Sequence, residues 1–213
     1  MTRSSASSRA WLVGRCGTCG ELFAARRKFG LAVATWGLAA LSATVASVLI
    51  APGFPGILGA ALAIVMIAIA VIDAHSFVIP DKLVAVGLAL GMLNVAVVSP
   101  QPIATAVTAA ALRAFLLAFL LFIFRAAYRR IRRREGLGLG DVKLAGVAGA
   151  WLGWTAAGLA IDIAALSALA AVLISALYGQ RLNGMTRIPF GLFFAPAIWV
   201  VWLLDVLSLR FLA

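Results

Sequence analysis

Apolar residues fall in long runs along this chain, separated by short segments rich in Arg, Lys, Gly and Pro. A helix needs about 20 apolar residues to cross a hydrocarbon core, so runs of this kind read as transmembrane helices. Seven spans are expected, over about Phe29–Ala51, Pro55–Ile72, Leu83–Ser99, Ile103–Phe124, Val142–Trp154, Ala157–Tyr178 and Ile188–Leu207. The fifth is the shortest. A single helix from Val142 to Tyr178, rising about 1.5 Å per residue, would far exceed a core of about 30 Å. A break near Gly153 and Gly158 is therefore expected. The fold class is all-α, a polytopic transmembrane bundle of about seven spans. A cytoplasmic segment over residues 1–28 precedes a membrane domain over residues 29–213.

Composition supports this pattern. Of 213 residues, 64% are hydrophobic, and the mean hydropathy is +1.11. One soluble core could not hide that much apolar surface, so lipid must be the solvent for much of it.

Charge then orients the bundle. Eighteen Lys and Arg stand against seven Asp and Glu, a net charge of +11. In a soluble protein this balance would suggest nucleic acid. Here the bases sit between the apolar runs, so the positive-inside rule explains them and no nucleic-acid partner is expected. Arg15, Arg26, Arg27 and Lys28 precede the first span, and Lys82 lies between the second and third. Arg125, Arg129, Arg130, Arg132, Arg133 and Arg134 follow the fourth, and Arg181 and Arg187 lie between the last two. All fall on one side if the N-terminus is cytoplasmic. The opposite loops, near Gly53, Pro100 and Thr155, carry no base; Arg113 and Arg210 are the exceptions. The arginines after span four read first as an anchor against anionic lipid head groups, and second as a docking site for substrate.

Each acid in a membrane protein needs an account, because burying it costs free energy. Glu21 and Glu135 lie in basic segments as solvated charge. Asp162 and Asp205 fall toward the outer ends of their spans, where they are interfacial or pair with Arg113 or Arg210. Asp73 ends the second span and Asp141 opens the fifth, so both lie at the same depth on the cytoplasmic side. Two converging carboxylates can cut a peptide: one takes a proton from water while the other, protonated, polarises the carbonyl. Like charges held close keep one proton on the pair. The helix dipole favours the anion at Asp141 and not at Asp73, so Asp141 is expected to be the more acidic. Gly136, Gly138 and Gly140 permit backbone torsions closed to other residues and leave room for a peptide to approach. On spacing alone, the plainer reading stands equally: Asp73 stops a span and Asp141 caps one.

Three segments tip that balance. They are Asp73-Ala-His-Ser-Phe-Val-Ile-Pro80-Asp81, Gly138-Leu-Gly140-Asp141-Val-Lys143-Leu with its continuation to Trp154, and Ile188-Pro189-Phe190-Gly191. Together they resemble the type IV prepilin peptidases, the GxGD-type aspartic peptidases of bacterial membranes, over about Gly14 to the C-terminus. The resemblance implies that Asp73 and Asp141 are catalytic. It matches Gly138 and Gly140 to the motif glycines and gives Pro80 and Asp81 a structural part in the loop after the first aspartate. Lys143 then either tunes the aspartates or neutralises local charge. Ile188, Pro189, Phe190 and Gly191 either line the site or shape the start of the last span. His75, the only histidine, is not called for by the motif.

The implied activity is removal of the short basic cytoplasmic leader from prepilins or pseudopilins at the bacterial inner membrane. No metal or nucleotide is needed, because the aspartates activate water themselves. Many family members carry an extra first span and two C-x-x-C pairs, bind zinc, and N-methylate the new terminus. This sequence has one pair, Cys16 and Cys19. A closed zinc site wants about four ligands, so neither zinc nor methyl transfer is expected, and the chain reads as a peptidase-only form or one that starts late. The competing classes are a proton-coupled transporter, which would hold its acids near mid-bilayer, and a non-catalytic assembly factor.

Overall fold

In a computed structural model, the described residues are 17–133, 136–178 and 189–212, with side chains described from 34 to 208 within them. The elements are seven helices: α1 Gly17–Ile50, α2 Phe54–Ser76, α3 Asp81–Val98, α4 Ile103–Arg132, α5 Leu139–Trp151, α6 Trp154–Leu177 and α7 Gly191–Leu212. The chain divides into two compact units, residues 1–38 and 39–213. The first contains the start of α1. The second contains the rest of α1 and the other six helices.

Among the described residues, five helices are long and apolar enough to cross a membrane: α2, α3, α4, α6 and α7. The stretch Ala34–Ile50 of α1 is a shorter apolar helix. The break expected after Val142 is present, with Leu152 ending α5 and Gly153 starting α6. The fifth helix is shorter than the others, as expected. α5 has 13 residues, about 20 Å at about 1.5 Å each, which falls short of a core of about 30 Å. It is a core helix of the bundle, with ten of its residues buried.

Small residues explain how α5 comes to be enclosed. A Cβ on Gly149 would lie 2.7 Å from the Cα of Ala114 and from the Arg113 carbonyl oxygen, so α4 meets α5 backbone to backbone. Ala106, Ala110 and Ala114 form a small-residue face on α4. On α3, Gly87 and Gly91 make the same allowance: Gly87 sits against Val147, and Gly91 against Ala150 and Trp151. Where lipid is as apolar as leucine, close van der Waals packing of this kind holds helices together. The Trp151 indole N–H donates to the Gly87 carbonyl at 2.9 Å, so the buried ring leaves no polar atom unpaired. On the other flank, α2 packs on α7 where Gly59 admits the Trp202 ring. Trp199 Nε1 donates to Ser47 Oγ at 3.0 Å, tying the second half of α1 to α7.

α4 runs on to Arg132, beyond the expected boundary at Phe124, because its arginine-rich end continues the helix in a polar setting. α2 likewise runs past Ile72 to Ser76, which puts Asp73 on its last turn.

Candidate active site

Three helix ends and one loop meet at one end of the bundle. α2 closes on Phe77, whose backbone is left-handed (φ 54°) and whose N–H donates to the Asp73 carbonyl at 2.9 Å. A non-glycine residue rarely holds that conformation. The chain then turns through Val78 and Ile79 to Pro80, whose carbonyl receives the first N–H groups of α3. Phe77 and Val78 face outward, whereas Ile79 is 7% exposed.

Ile79 is the wedge of the site. A Cβ on Gly140 would lie 2.9 Å from the Ile79 side chain, and one on Gly191 would lie 2.9 Å from Ile79 Cδ1. Gly191 also has no room toward Asp73, because a Cβ there would lie 2.8 Å from Asp73 Oδ2. The N-terminal ends of α5 and α7 can close around Ile79 and Asp73 only because both positions are glycine.

The two carboxylates are each held by a backbone N–H. Asp73 Oδ2 accepts from Leu192 at 2.9 Å. Asp141 Oδ2 accepts from Gly138 at 3.2 Å, the return half of a capping box on the first turn of α5. Both side chains are buried, at 5% and 7% exposure. Asp141 lies outside the five candidate spans. Burial pushes its carboxyl up, the Asp73 charge pushes it further, and the Gly138 N–H opposes both, leaving it at about 6. A helix terminus contributes about 0.3–1 kcal/mol, and desolvation beside a second carboxylate outweighs it.

The glycines of the second segment also need a different account. Gly138 has φ −70° and ψ 151°, torsions open to any residue. The role of Gly138 and Gly140 is close approach, to the Asp141 carboxylate and to Ile79 respectively. Gly136 is pressed against the Tyr128 ring in the same way.

Lys143 pairs with Asp81 at 2.5 Å, a half-exposed contact that ties the first turn of α3 to α5. This arrangement is local neutralisation, one of the two roles left open for the lysine. Phe190 stacks at a tilt on Phe194, 5.5 Å between ring centroids, and its carbonyl receives the first N–H groups of α7. Pro189 precedes it, half-buried. Ile188 and Cys16 lie outside the described residues, as does the side chain of Cys19. His75, Asp162 and Asp205 are exposed. Arg113 Nε is buried without a hydrogen-bond partner among the described residues, and the side chain of Arg210, the other suggested partner of Asp162 and Asp205, lies outside them.

Ile79 and the Leu192 N–H did not emerge from sequence. In the run Phe77-Val78-Ile79 nothing marks which apolar residue turns inward. A backbone donor 119 residues away from its acceptor leaves no trace in side-chain identity.

The sequence model of the type IV leader peptidase family matches residues 60–204, which take in both aspartates. A prepilin leader peptidase/N-methyltransferase of Aeromonas salmonicida is 30% identical over 199 residues, 91% of this chain and 63% of that protein. One of Dickeya chrysanthemi is 35% identical over 165 residues, 77% of this chain and 55% of that protein. Leader peptidase HopD of Escherichia coli is 33% identical over 129 residues, 61% of this chain and 81% of that protein. The chain thus spans less than two thirds of the two longer relatives. No solved structure matches it significantly.

Proposed function

The chain belongs to the type IV leader peptidase family, and from that premise we propose that it is an aspartic endopeptidase cutting the leader from prepilins or pseudopilins. The observation that carries the reading is the pair of buried carboxylates, Asp73 and Asp141, close enough for one charge to raise the other. Each is held in place by a backbone N–H at a helix start.

Like charges held this close keep one proton on the pair; we assign it to Asp141, held within its own helix turn, and take Asp73 as the base. Asp73 removes a proton from water as the water oxygen bonds to the scissile carbonyl carbon. Asp141 gives its proton to the carbonyl oxygen. The tetrahedral adduct then collapses, the C–N bond breaks, and the amine leaves with a proton returned through the pair. No metal or nucleotide enters these steps. The positively charged residues Lys82 and Arg125 to Arg133 border the same end of the bundle, which under the positive-inside rule makes it the cytoplasmic face of a bacterial inner membrane. A proton-coupled transporter fits less well, since its acids would lie along the spans rather than at one end.

Co-expression with prepilins from the same host, followed by gel shift and N-terminal sequencing, tests the reading. Leader removal by the wild type and its loss in both Asp73→Asn and Asp141→Asn is the expected result. Cleavage surviving either substitution would break the two-aspartate mechanism. The mass of the new terminus also reports whether a methyl group is added.

A further inference from the structure

Beyond the dyad, the bundle has an open groove of about 810 Å³ between the end of α4 and the start of α5. Its floor is Phe119, Phe122, Ile123 and Leu139, and Arg129 and Arg130 border it above. Along α4 the floor and the arginines are separated by six residues from Ile123 to Arg129, about 9 Å of helix at about 1.5 Å each. The lower part is apolar and lies on a helix long enough to cross a membrane, and the upper part is the end of that helix beyond its apolar run.

We propose that this groove is a binding site for an anionic phospholipid, with its phosphate on Arg129 and Arg130 and an acyl chain along Phe119, Phe122 and Ile123. Two charges argue for the occupant. An acidic peptide would satisfy the arginines but leave the apolar floor to lipid, and a zwitterionic lipid would cover the floor but bring no net charge to the arginines. Guanidinium groups grip phosphate oxygens with paired donors, and basic pockets beside spans take acidic head groups.

The groove also touches the machinery of the site. Leu139 lies two residues before Asp141. Arg125, another lining residue, donates from Nε to the Leu137 carbonyl at 2.8 Å. Leu137 is followed by Gly138, whose N–H holds Asp141. A seated lipid therefore braces the segment that positions one carboxylate. This second consequence rests on the peptidase reading, whereas the binding itself does not.

Native mass spectrometry on the full chain in detergent, titrated with phosphatidylglycerol or phosphatidylcholine, tests the binding. The wild type is expected to retain phosphatidylglycerol in preference. The double variant Arg129→Gln/Arg130→Gln should lose roughly tenfold in that affinity, and Arg132→Gln/Arg133→Gln, on exposed residues outside the groove, should stay within about twofold. Equal retention of the two lipids, or an equal loss in both double variants, would overturn the site. In phosphatidylcholine vesicles, added phosphatidylglycerol should speed leader removal by the wild type and not by the groove variant. If no variant cleaves at all, the peptidase reading fails, and the binding titration still decides the site.

Discussion

α5 and α6 follow one another directly, and both are apolar, yet the bundle treats them oppositely. In α5, ten of 13 residues are buried; in α6, three of 24 are. Each has an aspartate, a glycine and a tryptophan that can be set side by side. Asp141 is buried and Asp162 exposed. Gly149 lies against the backbone of α4, while Gly158 has nothing within 4 Å. Trp151 is 6% exposed and hydrogen-bonded, and Trp154 is 55% exposed. Hydropathy runs the other way, since α6 is the more apolar of the two and α5 is the one enclosed. Small residues on their neighbours decide, because in lipid a helix is buried where backbones can approach, not where side chains are most apolar.

The largest contrast is expected between the aspartates. Asp141→Asn should lower leader removal by about 10³-fold or more, as loss of a group acting as part of a unit does, and Asp162→Asn should change it by less than about twofold. An assay on co-expressed prepilin reads both, and a comparable loss in the two would break the distinction.

The same pair should differ in pH response. Asp141 rises from 3.8 to about 6 on folding, so between those values the folded chain holds a proton that the unfolded chain has released. Its contribution to stability is complete below 3.8 and is lost as pH rises through about 6. Thermal denaturation in detergent should show this decline in the wild type and in Asp162→Asn, and a flatter profile in Asp141→Asn.

A smaller effect distinguishes the glycines. Gly149→Ala forces α4 and α5 apart and should cost about 2 kcal/mol. Gly158→Ala enters open space in a helix and should stabilise by up to about 1 kcal/mol. Shifts in melting temperature of opposite sign would bear this out. Smallest is the tryptophan pair: Trp151→Phe should cost about 1 kcal/mol through the lost indole hydrogen bond to the Gly87 carbonyl, and Trp154→Phe close to nothing, by the same measurement.

The seven helical segments, the break at Gly153 and the pairing of Asp73 with Asp141 at one end were legible in sequence because each rests on local pattern. Run length, glycine and the turn of a helix are all nearby signals. Three features were not legible. Hydropathy treated α5 like its neighbours, whereas close packing against α3 and α4 buries it in the core of the bundle. The dipole argument for Asp141 used only the helix that carries it, whereas the decisive terms are burial and a carboxylate from α2. The glycines at 138 and 140 suggested special torsions, and what they provide is proximity to Asp141 and Ile79. Each miss depends on a partner distant in sequence.

The turn from Phe77 to Ile79 has a further consequence for how the chain can vary. Outward-facing loops ordinarily tolerate insertions and deletions better than the elements they join, and Phe77 and Val78 are 52% and 60% exposed. This one has no slack. Its first residue is bonded back to Asp73, its third is clamped between Gly140 and Gly191, and its fourth starts α3. The distance from Asp73 to Pro80 therefore acts as a ruler, and a single added or missing residue would carry Ile79 out of the gap it fills.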